Sequence, residues 1–281
     1  MDKEDLKQLT DDDNFISGIY NYCDRWCERC PVTERCMNFT MGQRHFPDEE
    51  SRDIENQAFW ESMDSMFSAT IDLLREMAEE QGIDLDAVSD EEMATVEEAE
   101  RREKERVAAH ALSEASKSYV GLADQWFDAS EPIFEKKRGD LIDLVRLNIP
   151  GADPEAEAIA LSDAVEVIRW YQHSIHVKLM RSLHSQTEDD WFDREGFPRD
   201  SDGSAKIALI AIDRSIAAWG ALLRAFPQQE TEILQILAYL DQLRQDAERE
   251  FPQARAFVRP GFDEEEPQLD PEVFGDFLCG A

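Results

Sequence analysis

Four cysteines near the start of the chain are the residues whose type and spacing point most clearly to chemistry. Cys23, Cys27, Cys30 and Cys36 follow one another with the spacing C-x3-C-x2-C-x5-C. Thiolates this close in sequence can converge on one centre, because four sulfurs complete a tetrahedral zinc site or the ligand set of an iron–sulfur cluster. The sequence therefore predicts a metal centre held by these four cysteines.

The spacing favours an iron–sulfur cluster over zinc. Structural zinc sites usually draw on two C-x2-C pairs separated by a longer loop, whereas this segment has one such pair, Cys27 and Cys30. Compact runs followed by proline, as Pro31 follows Cys30, are typical of [4Fe–4S] ligands. Two alternatives are a pair of disulfides, which an exported chain would allow, and four reduced thiols without a metal. A fifth cysteine, Cys279, is interpreted as incidental.

Parts of the cysteine pattern resemble known iron–sulfur motifs. The spacing from Cys23 to Cys30 resembles the cluster motif of radical SAM enzymes, with Arg29 where that family commonly has an aromatic residue. The spacing from Cys27 to Cys36 is similar to part of the auxiliary-cluster (SPASM) extension. These resemblances imply a cluster without radical SAM catalysis. That family needs a β/α barrel, and this sequence shows no strand pattern from which one could be built. The whole pattern also resembles bacterial hypothetical proteins of unassigned function, which implies no activity.

The charge of the chain excludes several classes of partner. The 281 residues carry a net charge of −34, with 63 acidic and 29 basic side chains. Nucleic acids and anionic membranes need Lys or Arg to neutralise phosphates, so neither is an expected partner. The acidity indicates either a solvating surface or attraction to a basic protein. The oligomeric state does not follow from the sequence.

The compartment follows from the same composition. The chain starts with the polar sequence MDKEDLKQLTDDD, and no apolar run approaches the roughly 20 residues of a membrane span. We therefore expect a cytoplasmic protein, where thiols stay reduced.

The hydrophobic pattern is helical throughout and predicts an all-α protein, a helical bundle of about five or six helices with a short N-terminal cysteine-rich segment. The predicted division is a metal-binding segment at 1–45, a bundle at 46–251 and an acidic, mobile tail at 252–281. Three features delimit the first helices: Ser51 as an N-cap, Gly82 as a stop, and a capping box at Ser89. The first predicted helix, 51–80, carries apolar residues at three- and four-residue steps, which indicates an amphipathic helix with one apolar face. The predicted helices are 51–80, 89–127, 130–147, 154–183, 204–225 and 230–250.

Polar residues on two of the apolar helices form a second candidate site. Glu166, His173 and His176 share one side of the helix at 154–183, and Asp213 and Arg214 interrupt the apolar helix at 204–225. Because an isolated buried charge is costly, Asp213 and Arg214 are expected to find partners. The candidates are Arg169 or His173 for Asp213, and Glu166 or Asp163 for Arg214. The alternatives are a solvated polar face and a buried ion pair that fixes helix register.

Three functional hypotheses follow. The leading one is a metalloprotein whose centre has a structural, sensing or electron-transfer role. The second is a helical-bundle enzyme with a carboxylate and histidine site between helices. The third is an interaction protein whose N-terminal cysteine segment is cross-linked by zinc and whose acidic surface attracts a basic partner.

Overall fold

The protein is all-α, as predicted. A computed structural model describes residues 3–10, 12–84, 87, 89–191 and 199–263. Within these residues it contains nine α-helices, several short 3-10 turns and no β-strand. The expected number of five or six helices is not matched, because three short helices precede the long ones.

The chain divides into two compact units. The first consists of the described residues of Met1–Ile83 and of Val258–Ala281, and the second is Asp84–Phe257. The sequence instead predicted boundaries after residues 45 and 251. The helix at Gln57–Glu80 accounts for much of the difference, since it packs against the helices that precede it.

The first unit begins with short elements and ends with one long helix. Three 3-10 turns, Ile19–Asn21, Cys27–Arg29 and Thr33–Arg35, connect its first two helices. Lys7 on the first helix pairs with Glu76 on the long helix, with 3.1 Å between Nζ and Oε2. The helices are α1 (Lys3–Thr10), α2 (Met37–His45), α3 (Glu49–Arg52) and α4 (Gln57–Glu80).

Ser51 does not cap the long helix, so that prediction was wrong. Asp48 caps α3 and accepts from the Ser51 backbone N–H at 2.8 Å, while Ser51 Oγ accepts from the Asp48 N–H at 3.2 Å. Asn56 caps α4 by accepting from the Ala58 N–H at 3.1 Å. Gly82, with φ of 68°, follows the end of α4, since a left-handed residue after a helix favours glycine.

The apolar face predicted for α4 is largely exposed. Phe67 is 56% exposed and Leu74 57% exposed, and Ala78 is the one buried residue of the helix. The spacing of these side chains is that of an amphipathic helix, but the described residues do not cover the face.

The second unit contains five helices, four of which form a closed ring. α6 packs against α7, α7 against α8, α8 against α9, and α9 against α6, while α5 lies on α6 and α7. α8 is the most apolar of them and buries most of its length. The ranges are α5 (Asp90–Ala108), α6 (Ala111–Leu147), α7 (Pro154–Trp191), α8 (Asp200–Ala225) and α9 (Glu230–Glu250).

The break between α5 and α6 lies earlier than predicted. Ser89 forms the expected capping box with Glu92, but α5 ends at Ala108, and His110 caps α6 by accepting from the Leu112 N–H at 3.2 Å. α6 then runs through Pro132, where the sequence predicted a new helix. A proline inside a helix removes one hydrogen bond and costs about 3 kcal/mol.

An aromatic cluster provides the packing that offsets this cost. Trp126 and Phe134 flank Pro132 on α6, and their rings meet edge to face with centroids 5.9 Å apart. Trp126 also packs on Trp219 of α8 at 4.9 Å, and Phe134 on Phe226 at 4.9 Å. Breaking α6 at Pro132 would separate these rings, so burial of the cluster favours the continuous helix.

The remaining boundaries depart from the predicted ones by at most eight residues. α7 continues to Trp191 and α8 begins at Asp200, whereas α9 has the predicted ends. In the expected tail, Ala254–Ala256 form a 3-10 turn and Phe257 is buried. Residues 264–281, including Cys279, lie outside the described part of the chain. None of the described helices is long and apolar enough to span a bilayer.

The Tyr119 hydroxyl is expected to stabilise the second unit. Tyr119 and Trp219 are completely buried, and Trp219 Nε1–H donates to Tyr119 Oη at 3.2 Å. Tyr119→Phe leaves this indole N–H unpaired and should lower the free energy of unfolding by about 1–2 kcal/mol in urea titrations. The control is Tyr239→Phe, whose partly buried hydroxyl donates to the Ala115 carbonyl at 3.2 Å and which should cost less. Equal losses would contradict the prediction.

Candidate metal centre

The cysteines of the first unit are positioned by consecutive 3-10 turns. Cys27 begins one turn and Cys30 closes it, with the Cys30 N–H donating to the Cys27 carbonyl at 3.2 Å. Cys36 closes the next turn through the Thr33 carbonyl at 3.1 Å and is also the N-cap residue of α2. Cys23 precedes both turns, and its thiol donates to the Tyr20 carbonyl at 3.6 Å.

The chain between Cys23 and Cys27 holds a left-handed residue. Arg25 has φ of 60°, which is uncommon for a residue with a side chain. Asp24 supports this turn by accepting from the Trp26 backbone N–H at 3.2 Å. Trp26 is 5% exposed, and the guanidinium of Arg29 lies 4.1 Å from the centroid of its ring. Trp26 therefore serves as the packing anchor of the segment.

All four cysteines line one small cavity, as convergence on a common centre requires. The cavity volume is about 20 Å³, and each of the four residues is partly buried. Its other walls consist of five apolar side chains together with Tyr20, Asp24, Arg25 and Thr33. The apolar side chains among them are Ile19, Trp26, Val32, Phe39 and Phe262.

The thiols interact electrostatically with one another. Burial raises the pKa of Cys27, and the neighbouring groups of Cys23, Cys36 and Cys30 raise it further. Burial also raises the pKa of Cys30, against the lowering effect of a hydrogen bond from the Val32 backbone. Four thiolates at this position repel one another unless a cation compensates their charge. The donor set therefore suits a thiophilic metal and disfavours four free thiolates.

The four thiol side chains are not arranged as the ligands of a single metal ion. Among the described residues, no group of three or more His, Cys, Asp or Glu side chains is arranged to hold a metal ion. Each cysteine sulfur can move between staggered rotamers by turning about a single bond. Ligation would require such rotation toward the common cavity.

The segment after residue 257 contributes to the cavity, which the sequence analysis did not foresee. Gly261 has φ of 72°, and a Cβ atom there would lie 2.6 Å from Cδ1 of Ile16 and 3.0 Å from Cδ1 of Ile19. This close approach brings Phe262 to the cavity wall. Arg259 and Asp263 brace the turn through a hydrogen bond of 2.8 Å between Nη2 and Oδ1. The Pro-Gly pair signals a turn in the sequence, but not what the turn packs on.

In the second candidate site, Asp213 has partners other than the two predicted for it. Asp213 is partly exposed and accepts from Arg255 Nη1 at 2.6 Å, with Arg244 Nη1 at 3.5 Å. The expected partner Arg169 instead contacts Asp124 at 2.8 Å. Asp213 therefore joins α8 to α9 and to the turn that follows it.

The two histidines of this candidate site contact residues outside the predicted set. His176 Nδ1 lies 2.8 Å from Ser116 Oγ, and His173 Nε2 lies 3.3 Å from Gln172 Nε2. Arg214 is exposed and donates to the Tyr171 hydroxyl, and Glu166 is also exposed. Asp213, His173 and His176 thus each contact a different residue.

Comparison with known proteins identified no relative of this chain. The chain matches no protein family, no curated protein and no solved structure.

Gly261 offers a test of the packing behind the cysteine cavity. Gly261→Ala should both strain the left-handed backbone and push against the isoleucines, so residues 16–36 should lose protection from hydrogen exchange. Gly82→Ala is the matched control, because Gly82 has φ of 68° and nothing within 4 Å of the added methyl group. Unchanged protection in Gly261→Ala would contradict this packing.

Asp213 should act as a structural ion-pair residue. Asp213→Asn removes a charge shared by two arginines at 38% side-chain exposure, and we expect a loss of about 0.5–1 kcal/mol in urea unfolding. Asp143→Asn, which removes a single exposed pair with Arg146, is the control and should change stability less. A neutral Asp213→Asn would contradict the assignment.

Proposed function

We propose that the protein is a metalloprotein whose centre is held by Cys23, Cys27, Cys30 and Cys36. The observation that carries this proposal is the single cavity lined by all four residues. Four partly buried thiols around one cavity are what ligation of a common metal centre requires. The repulsion expected among four thiolates gives a physical reason for a cation there.

A complete set of four cysteines argues against a catalytic Lewis acid. Catalytic zinc keeps one coordination position open for water or substrate, whereas four protein sulfurs close the coordination shell. An iron–sulfur cluster with four cysteine ligands likewise leaves no iron free for a substrate. The proposed role is therefore structural, sensing or electron transfer, in a compartment that keeps the thiols reduced.

Two centres fit different observations. The compact spacing and the apolar walls favour an iron–sulfur cluster, whose potential depends on exclusion of solvent. The volume of about 20 Å³ favours zinc, since about 10–15 Å³ already holds one water molecule and a single ion is of that size. A cluster would need the 3-10 turns to move apart. We put iron–sulfur first on the spacing and keep zinc as the second candidate.

The proposed centre would stabilise the short elements of the first unit. The segment from Ile19 to Cys36 has three 3-10 turns, which are weak elements by themselves. A metal bound by four residues along this segment would cross-link it and add binding free energy to folding.

Metal analysis of the full chain tests the proposal. The wild-type protein, purified without oxygen, should contain either iron with inorganic sulfide and a broad visible absorption band, or one zinc per chain. Cys27→Ser and Cys30→Ser should each lose most of the metal, because serine replaces a soft thiolate ligand. Helix content by circular dichroism should change little, since the long helices of the second unit do not contain these residues.

Cys279→Ser is the matched control. It removes a thiol from the same chain outside the proposed ligand set, so its metal content should equal that of the wild type. Wild-type protein without metal, even after reconstitution with iron and sulfide or with zinc, would overturn the proposal. Equal metal loss in all three variants would overturn the ligand assignment.

The acidic surface supports a separate proposal, that of a basic protein partner. A net charge of −34 attracts cationic surfaces over a Debye length of about 10 Å at 0.1 M salt. Association of that kind would weaken as salt is added.

A further inference from the structure

A second cavity, in the other unit, has an unusual charge for this chain. It has a volume of about 530 Å³ and lies among the end of α5, the first turns of α6 and the later part of α7. Volumes of about 300–1,000 Å³ are typical of sites for small molecules. Three cationic side chains, Lys104, Lys117 and Arg181, line it together with two histidines and no carboxylate. Because the chain has 63 acidic and 29 basic residues, a cavity lined by three cations and no carboxylate has the opposite charge to the protein as a whole.

The cations differ in how far protein carboxylates already neutralise them. Arg181 donates to Asp200 at 2.7 Å, and Lys104 contacts Glu100 at 3.1 Å in an exposed pair. Across the described residues, no carboxylate lies within ion-pair distance of Lys117. An exposed ion pair is weak and exchangeable, so Lys104 and Lys117 are both able to bind an anion.

A third carboxylate near the cavity, that of Glu103, is itself neutralised by another residue. Glu103 Oε1 lies 3.8 Å from Nδ1 of His184, which lines the cavity. Its two oxygens accept from Arg106 at 2.6 and 2.9 Å. Because this arginine does not line the cavity, it offsets the carboxylate without occupying the space for a ligand.

Ser113 supplies a hydrogen-bonding group without a protein partner. Its side chain is completely buried, and within the described residues its hydroxyl has no hydrogen-bond partner, although the residue lines the cavity. Buried hydroxyls in native proteins are normally paired, so an unpaired one points to a ligand or to ordered water. A hydroxyl donor beside two lysines suits an oxyanion.

His176 supplies an acceptor. The Ser116 hydroxyl contacts the carbonyls of Leu112 at 2.7 Å and Ser113 at 3.0 Å, which can only accept, so its one proton is directed to them. Its oxygen therefore accepts from Nδ1–H of His176 at 2.8 Å. In the neutral imidazole this leaves the lone pair on Nε2. Burial lowers the pKa of His176, and the charge of Lys117 adds to this, which favours the neutral ring.

We propose that this cavity binds the phosphate group of a small molecule, with Lys104, Lys117 and Ser113 holding the anion and His176 accepting a hydrogen bond from a ligand hydroxyl. The lysines supply charge and the serine supplies a donor. The histidine acceptor favours an oxyanion that still carries a proton, as a hydrogen phosphate group does. The proposal concerns the second unit and does not depend on the metal centre.

Calorimetric titration of the full chain with inorganic phosphate tests the proposal. At constant pH and ionic strength, phosphate should bind at one site per chain. Lys117→Gln should weaken the affinity about tenfold, the loss expected for one charge-assisted contact. The matched control is Lys136→Gln, which makes the same change of charge at an exposed lysine farther along α6, away from the cavity, and should leave the affinity unchanged.

Two further measurements separate a binding role from a structural one. Ser113→Ala should weaken phosphate binding without lowering the free energy of unfolding, because removing an unpaired buried hydroxyl costs no hydrogen bond. Sulfate, a dianion of similar shape that carries no proton at neutral pH, should bind more weakly than phosphate because it cannot donate to His176.

Three results would overturn the proposal. They are the absence of saturable phosphate binding, equal affinity of Lys117→Gln and Lys136→Gln, and sulfate binding as tight as phosphate. The last result would remove the assigned hydroxyl acceptor and with it the ligand class.

Discussion

Four thiols that share one cavity place a strong electrostatic constraint on the first unit. The neighbouring cysteines raise the pKa of Cys27 and of Cys30, and the two charged residues in the cavity wall, Arg25 and Asp24, have opposite signs and add no net positive charge. The segment can therefore remain protonated and loosely arranged, or it can bind a cation and lose its protons. The 3-10 turns, the left-handed Arg25 and the buried Trp26 all help to hold the four cysteines around their common cavity.

The second unit depends on a different interaction, the packing of aromatic rings across a ring of four helices. The rings of α6 and α8 meet on both sides of Pro132, and this burial keeps α6 continuous where local sequence favours a break. The same register places Ser116 of α6 against His176 of α7. The polar contacts at the cavity between α5, α6 and α7 are thus positioned by the apolar core beneath them.

Much of the helical architecture could be predicted from sequence because its signals are local. The capping box at Ser89, the stop at Gly82 and both ends of α9 follow from residue types within a few positions. Signals that depend on distant contacts were misread. Pro132 suggests a helix start in the sequence, because the rings that keep the helix continuous include residues of another helix. The spacing in α4 suggests a buried apolar face, because spacing alone does not reveal whether a partner covers that face. The four cysteines are evident from their spacing, whereas Phe262 is not, because more than two hundred positions separate it from them.

The first unit is discontinuous in the chain, and this has a consequence for the order of synthesis. Its cysteines leave the ribosome early, but Gly261 and Phe262, which pack behind and beside them, are made only after the whole second unit. During that interval the second unit has all of its own residues and can fold, while the cysteine cavity still lacks one wall. The nascent thiols would remain open to metal donors, and to oxidants, until the last of these residues emerges and closes the cavity.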